Sequence, residues 1–361
     1  MEHGGDIYGN QNIELDLSVN LSPIGPPEAV RGVLQGDDMK RVLTSYPDPH
    51  YRELKGALSQ RLSVSKEWIL CGNGASELLM AIVQAVRPER ALIPVPTYQG
   101  YERALDAVGA EILYYELNRE EGFALTEEIL ESDRGLKRLT GAGSDTVFFL
   151  CNPNNPVGNC IEPALLNRIA EYCRINHIYL IIDECYLDLL ADAESRTMRP
   201  ALAKNPYLII VNAFTKTYAM PGVRLGYLMT GNSELRVKIQ LQQPEWSVSM
   251  FAQRAGIAAL QDGEYLNRAR QAVCAEREYV CGKLRESGAE VFEGEGPFVF
   301  FYCPKDLYEP LKERGILIRR CDGIHGLRAL STERRHYYRV GLRSHEENVR
   351  LMRSIGEIMG L

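Results

Sequence analysis

A chain of 361 residues is longer than one hydrophobic core organises, since cores stop growing near roughly 250–300 residues, so one large and one smaller domain are expected. With 41 basic against 48 acidic residues the net charge is −7, and no basic run interleaved with aromatics appears, which argues against a nucleic-acid face and for a small polar metabolite as partner. No apolar run reaches the roughly 18 residues of a membrane span, the amino terminus carries no signal segment, and nine cysteines without CxxC spacing read as buried, reduced thiols of a soluble cytoplasmic protein.

In chain order, residues 1–40, with the turn Ser22-Pro23-Ile24-Gly25-Pro26-Pro27, read as an arm that joins the smaller domain. Over 41–245, short β-branched and aromatic runs at 68–71, 91–95, 111–117, 146–151, 178–183, 207–212 and 225–230 alternate with helix-period segments, the pattern of α/β layering. Runs such as Val147-Phe148-Phe149-Leu150 and Tyr179-Leu180-Ile181-Ile182 are apolar without alternation, so their strands are covered on both faces in a mainly parallel sheet sandwiched by helices. Such a sheet gathers its ligands at the carboxyl ends of its strands. Over 246–361 the pattern changes to long helical stretches at 264–287 and 346–359 around an apolar run at 298–302, which reads as a smaller α+β domain.

Four motifs stand at expected strand ends. Cys71-Gly72-Asn73-Gly74-Ala75-Ser76-Glu77 is a glycine-rich turn opening a helix at 77–86, whose free N–H groups and dipole suit a phosphate. A dinucleotide turn would need glycine where Glu77 stands, and a Walker lysine is absent; taken alone the motif is equally a plain helix cap. Asn152-Pro153-Asn154-Asn155-Pro156-Val157-Gly158 is a turn whose prolines fix the backbone and leave asparagine side chains exposed, and by itself it is ordinary. Ile182-Asp183-Glu184-Cys185-Tyr186 sets a carboxylate and a phenol behind an apolar strand, where Asp183 can also be a cap and Tyr186 a core residue. Last comes Ala213-Phe214-Thr215-Lys216, with Arg224 eight positions beyond the lysine. An amine buried near cations loses its proton easily and becomes a nucleophile, and a forked guanidinium nearby suits a phosphate. The histidines show no metal-ligand spacing, so no metal is expected.

In this order and spacing the four motifs resemble those of fold type I pyridoxal-phosphate enzymes of the aminotransferase class I/II family, and the resemblance runs from near Asn20 to the carboxyl terminus. It implies a pyridoxal 5'-phosphate cofactor carried by Lys216 as a Schiff base, Asp183 on the pyridine nitrogen, and Asn155 and Tyr186 at the ring hydroxyl. It implies Gly74, Ala75, Ser76 and Arg224 around the phosphate, Tyr98 stacked on the ring, and Tyr46 reaching the neighbouring subunit's phosphate in a homodimer with shared active sites. The family commonly has a hydroxyl residue three positions before the lysine. Ala213 stands there, so one phosphate contact is lost or passes to Thr215 or water.

Within the family, His3-Gly4-Gly5-Asp6-Ile7, Leu17-Ser18-Val19-Asn20-Leu21-Ser22-Pro23, Tyr218 and Pro221 after the lysine, Gln243-Pro244-Glu245-Trp246, and Tyr337-Tyr338-Arg339-Val340-Gly341-Leu342-Arg343 resemble segments of the threonine-phosphate decarboxylases of cobamide biosynthesis. Histidinol-phosphate aminotransferases are the competing subgroup. The resemblance implies that Arg343 binds a substrate carboxylate or phosphate, with Arg319 and Arg339 as further arginines and His3, Gly4 and Asn20 lining the site. Each arginine read alone is also an ordinary surface ion pair. A cofactor-sensing DNA-binding regulator is the reading from another class, and the acidic balance counts against it.

Overall fold

The computed structural model describes residues 4–9, 12–33, 38–141, 145–331 and 336–361. The arm contributes β1 (Leu15–Asp16), and the seven apolar runs become β2 (Ile69–Gly72), β3 (Arg90–Val95), β4 (Glu111–Glu116), β5 (Thr146–Cys151), β6 (Tyr179–Asp183), β7 (Leu208–Ala213) and β8 (Gly226–Met229). These seven form one sheet in the order β2-β8-β7-β6-β5-β3-β4. Strand β8 runs against both its neighbours, and the other six point one way.

Two-sided burial explains the continuous apolar runs. Phe148, Leu150, Leu180, Ile182 and Ile210 enter one core, while their alternating neighbours Val147, Phe149, Ile181, Ile209 and Val211 enter another. Each such side chain contributes roughly 1.5–3 kcal/mol relative to exposure. Only the edge strand β4 alternates in burial, as a strand with a solvated face does. Register then builds the site. Cys151 stands beside Asp183 and Asp183 beside Val211, while Ala213 and Gly72 both face Gly226. The carboxyl ends of β2, β5, β6 and β7 and the amino end of β8 therefore share one rim.

Beyond the sheet lie β9 (Glu290–Val291), β10 (Phe298–Cys303), β11 (Ile316–Leu317), β12 (Arg319–Arg320) and β13 (His336–Gly341). Four of them form an antiparallel sheet in the order β12-β13-β10-β9, flanked by the helices Tyr265–Glu286 and His345–Met359. The arm docks here, with β1 parallel to β11. The helix Met250–Gln261 instead packs on Glu28–Gly32 and Arg52–Leu62. A Cβ on its Gly256 would stand 2.4 Å from Leu225 Cδ2, so glycine sets that close approach.

Two helix starts differ from the sequence expectation by local chemistry. The helix expected from Glu77 begins at Gly74, because Gly74 takes φ +78° and the Glu77 carboxylate reaches back to accept from the Asn73 N–H at 2.6 Å. The last helix begins at His345 under a capping box of Ser344 and Glu347. Among the cysteines, Cys274 is exposed and Cys160 half-buried, so the expectation of buried thiols holds for the other seven only. No helix among the described residues is long and apolar enough to cross a membrane.

Candidate active site

The rim encloses a cavity of about 360 Å3. Ala75 and Ser76 enter it from the turn after β2, Tyr98 from beyond β3, Asn155 from beyond β5, Asp183 and Tyr186 from β6 and its turn, Thr215 and Lys216 from beyond β7, and Arg224 from before β8. Gly4 and Asn20 close it from the arm, and Arg319 and Arg339 from the small sheet. Tyr46 lies outside it: the ring is exposed and packs on Trp246 with centroids 4.8 Å apart. His3 lies outside the described residues.

Burial sets the electrostatics. It lowers the Lys216 amine from the ordinary lysine range to about 8, and the Arg339 and Arg224 cations push the same way against Cys185 and Asp183. The Asp183 carboxyl is pushed up by burial, while hydrogen bonds and the Lys216 charge hold it down. Its Oδ1 accepts the Cys185 N–H at 3.0 Å and its Oδ2 accepts the Tyr101 hydroxyl at 2.9 Å. Burial also raises the Tyr186 phenol, against the Arg339 charge and the Asn20 side chain, whose Nδ2 donates to the phenol oxygen at 3.2 Å.

Beside the lysine is an anion cradle. The first-turn N–H groups of the helix Gly74–Val86 have no intrahelical acceptor, and Ala75 and Ser76 of that turn line the cavity. Burial raises the Tyr98 phenol, and the neighbouring Ser76 side chain offsets part of that rise. A Cβ on Gly74 would stand 2.5 Å from Arg224 Nη2, and one on Gly226 would stand 2.7 Å from the Ala75 nitrogen. The first conflict falls on a movable guanidinium and the second on backbone, so Gly226 is the stricter requirement. Replacing Gly226 with alanine is expected to weaken pyridoxal phosphate binding about ten- to hundredfold, the loss of one charge-assisted bond at ~1.5–3 kcal/mol. Equilibrium titration of the apo-protein measures it, and wild-type affinity in the variant would count against the cradle. Ala213 lines the cavity together with Thr215, so the hydroxyl nearest that position along the chain is Thr215.

The asparagine turn departs from expectation. Asn152, Asn154 and Asn155 are all buried rather than exposed. Asn152 Oδ1 accepts the Ile161 N–H at 2.9 Å, and Asn154 bonds the Thr97 hydroxyl at 2.8 Å and the Pro96 carbonyl at 3.0 Å. Asn155 Oδ1 accepts from Arg339 Nη1 at 2.6 Å. Arg339 also donates to the Ser18 carbonyl, and its guanidinium lies 5.7 Å from the Phe298 ring centroid. It is buried, and its cross-strand partner in the register is Arg319. No carboxylate pairs with either guanidinium among the described residues. Two adjacent cations without a counter-charge are unfavourable until an anion arrives.

Arg343 corrects the sequence reading. Its guanidinium is not in the cavity; Nη2 donates to the carbonyls of Asp16 at 2.6 Å and Val19 at 2.9 Å, and Nη1 to Leu342 at 2.9 Å. It lies two residues past the end of β13, where strand alternation no longer aims a side chain. Sequence reasoning missed Tyr101, Ser18, Gly226 and Ile324. Tyr101 carries one legible signal, a helical spacing of three from Tyr98. Ile324 lines the cavity from a loop without any.

Another, larger cleft of about 910 Å3 runs along β4. It contains none of the strand-end groups, and its Arg119 and Arg134 are already paired with Glu290 and Glu128. The smaller cavity is therefore the candidate site. Its residues fit pyridoxal phosphate: an amine that titrates near 8, a buried carboxylate, a cradle that a Cβ would fill, and the buried atoms Asn20 Oδ1 and Arg339 Nε without a hydrogen-bond partner among the described residues.

Comparison with known proteins agrees. Residues 12–355 match the family model for aminotransferase class I and II. Threonine-phosphate decarboxylase of Salmonella typhimurium is 34% identical over 379 aligned positions, which cover 99% of this chain and 96% of that one. The crystal structure of histidinol-phosphate aminotransferase from Clostridium acetobutylicum superposes with a TM-score of 0.85 at 27% identity, covering 96% of this chain and 99% of that one. L-Threonine-O-3-phosphate decarboxylase from Porphyromonas gingivalis shares the fold, with a TM-score of 0.79 at 22% identity over 96% of this chain and 100% of that one. The chain belongs to the aminotransferase class I and II family and is a pyridoxal-phosphate-dependent enzyme.

Proposed function

We propose that this enzyme decarboxylates O-phospho-L-threonine, or a close analogue such as O-phospho-L-serine, to a phosphorylated amino alcohol for cobamide biosynthesis. The observation that carries the reading is the Arg319/Arg339 pair, two cross-strand guanidiniums facing the cavity with no carboxylate partner among the described residues. A substrate bearing both a carboxylate and a phosphate supplies two anions to such a pair, and guanidinium forks grip both groups through parallel bonds. The Salmonella relative at 34% identity supports decarboxylation over the aminotransferase reading, which draws on the Clostridium structure at 27%.

The reaction breaks the bond between Cα and the carboxylate, releases carbon dioxide, leaves the electron pair at Cα and adds one proton there. Bound pyridoxal phosphate supplies the electron sink for that pair. The residues supply the rest. Arg339 and Arg319 would fix the two anions, and so choose which bond at Cα is presented for cleavage. Asp183 would hold a proton on the cofactor's pyridine nitrogen, with the Tyr101 hydroxyl and the Cys185 N–H fixing the orientation of its carboxylate. Lys216, titrating near 8, holds the proton that is returned to Cα.

Purified protein with pyridoxal phosphate is expected to release carbon dioxide from O-phospho-L-threonine. No release, together with conversion of histidinol phosphate that depends on 2-oxoglutarate, would establish the aminotransferase instead. O-phospho-L-serine belongs in the same experiment, because one methyl in a pocket discriminates by only about 1–3 kcal/mol.

We read the working form as a cytoplasmic homodimer with Tyr46 reaching its partner's cofactor phosphate. Leu43, Tyr46 and Trp246 are exposed, and a second copy of the chain would cover such apolar surface. The nine cysteines, all free, agree with a reducing compartment. We divide the chain into an arm 1–40, a large domain 41–245 and a small domain 246–361, a division under which the cavity is lined by residues of all three parts.

A further inference from the structure

We propose that Arg343 is a positioning residue, which clamps the arm segment 16–19 so that Ser18 and Asn20 are presented correctly to Arg339 and Tyr186. The inference rests on reading the 360 Å3 cavity as the active site. From the small domain one guanidinium nitrogen holds two carbonyls three residues apart, Asp16 at 2.6 Å and Val19 at 2.9 Å. That pinches the arm into a turn. The turn is tightened from inside, since Asp16 Oδ1 accepts both the Ser18 N–H at 2.9 Å and the Ser18 hydroxyl at 2.5 Å. The Ser18 Oγ in turn accepts the Gly5 N–H at 2.7 Å, which brings the first described residues onto the site.

The fit against β13 leaves no slack. The Gly341 N–H donates to the Leu17 carbonyl at 2.7 Å, and a Cβ on Gly341 would stand 2.2 Å from the Val19 oxygen. Arg343 is itself anchored from behind. Asn348, fully buried, accepts the Arg343 N–H at 3.1 Å, donates to its carbonyl at 2.8 Å and to Glu276 at 2.9 Å. A chain of bonds therefore runs from Glu276 through Asn348 and Arg343 into the arm, and leaves the arm on the cavity side by two contacts. One is the Ser18 carbonyl, which accepts from Arg339. The other is Asn20, which donates to the Tyr186 phenol at 3.2 Å. Bonds from a guanidinium to carbonyls contribute about 1.5–3 kcal/mol each, and they fix the path of the backbone between Leu15 and Asn20, which the burial of Leu15 and Leu17 in the core anchors but does not orient.

A residue that acts through Asn20 and Tyr186 has a spectroscopic consequence, because Tyr186 lies in the wall of the cofactor cavity. The test is the pH midpoint of the bound cofactor's visible absorbance in wild type, Asn20→Ala, Arg343→Met and the double variant. Arg343→Met is expected to reproduce the direction and most of the size of the Asn20→Ala shift, and the double variant to add nothing further. Arg343→Lys, which keeps the charge but is shorter and has no second nitrogen for the Leu342 carbonyl, is expected to fall between and serves as the reading if Arg343→Met does not fold. With O-phospho-L-threonine, misplacement of the arm is expected to lower kcat/KM by on the order of 10². A wild-type midpoint in both Arg343 variants, or shifts that simply add in the double variant, overturns the clamp. The spectroscopic arm uses no substrate, so a failed decarboxylation assay and a failed clamp are separate results.

Discussion

Replacing Lys216 with alanine is expected to remove the absorbance near the visible edge that marks a lysine-linked cofactor, and to lower activity by at least about 10³, since the variant loses both the nucleophile and a proton-transfer group worth roughly 10²–10⁴. Lys216→Arg is expected to fare no better, because a guanidinium keeps the charge but never gives up its proton. An unchanged spectrum in Lys216→Ala would sink the assignment. The lowered amine pKa adds a sign that can be checked. Below pH 8 the buried amine is protonated and cannot attack an aldehyde; above it the free base is present. Reconstitution of the apo-protein with pyridoxal phosphate is therefore expected to accelerate as pH rises through about 8, instead of near the ordinary lysine value of 10.5. Stability follows the same linkage. Between pH 8 and 10.5 the unfolded chain holds a proton on Lys216 that the folded apo-protein does not, so folding gains stability as pH rises across that window, by on the order of 3 kcal/mol. In Lys216→Ala that slope is expected to vanish, which thermal melts of the apo-protein at about pH 7.5, just below the window, and at about pH 10, near its upper end, would register.

The depth to which the site could be read in the sequence follows from how local each constraint is. Strands buried on both faces must be apolar at every position, so β5 and β6 announce themselves, and the polar residues where they stop, Asp183 among them, are conspicuous. Lys216 is legible for the same reason at the end of β7. Contacts made across the fold are not. The turn at Asn155 carries the composition of an exposed loop, and only Arg339, 184 residues away, makes it interior. Tyr101 reaches Asp183 from 82 residues away, on a helix whose face toward the site is set by packing. The two arginines of Arg339-Val340-Gly341-Leu342-Arg343 show the limit most sharply. Both are forks suited to an anion, and their difference lies in register: Arg339 is inside β13, opposite Arg319, while Arg343 is past its end. Nothing in five residues of sequence states where a strand stops pairing.

Arg339→Met is expected to lower kcat/KM for O-phospho-L-threonine by 10²–10³ while the bound cofactor keeps its absorbance, because removing one partner of a buried charge pair costs about 3–5 kcal/mol. The guanidinium is held at Asn155 and the Ser18 carbonyl and lies against the Phe298 ring, so it reaches the substrate already oriented, and little rotamer entropy remains to be lost on binding. Lysine should not restore activity, since a single ammonium cannot bond Asn155, Ser18 and a forked anion together. Arg319, only half-buried and with solvent to screen it, is expected to matter less, about tenfold in kcat/KM. The stability of the substrate-free protein discriminates a ligand-binding arginine from a structural one. A structural arginine destabilises the fold when removed. Arg339 is a cation that burial disfavours, set beside another cation, hydrogen-bonded to the neutral acceptors Asn155 and Ser18 and offset through space by the Asp16 carboxylate without pairing with it, so its replacement by a methionine of similar length should leave the melting temperature of the substrate-free enzyme nearly unchanged or raised. Added O-phospho-L-threonine should then stabilise the wild type and not the variant. A variant that melts much earlier yet keeps wild-type kcat/KM would reverse the assignment, making Arg339 a strut for Asn155 and leaving Arg319 to hold the anion.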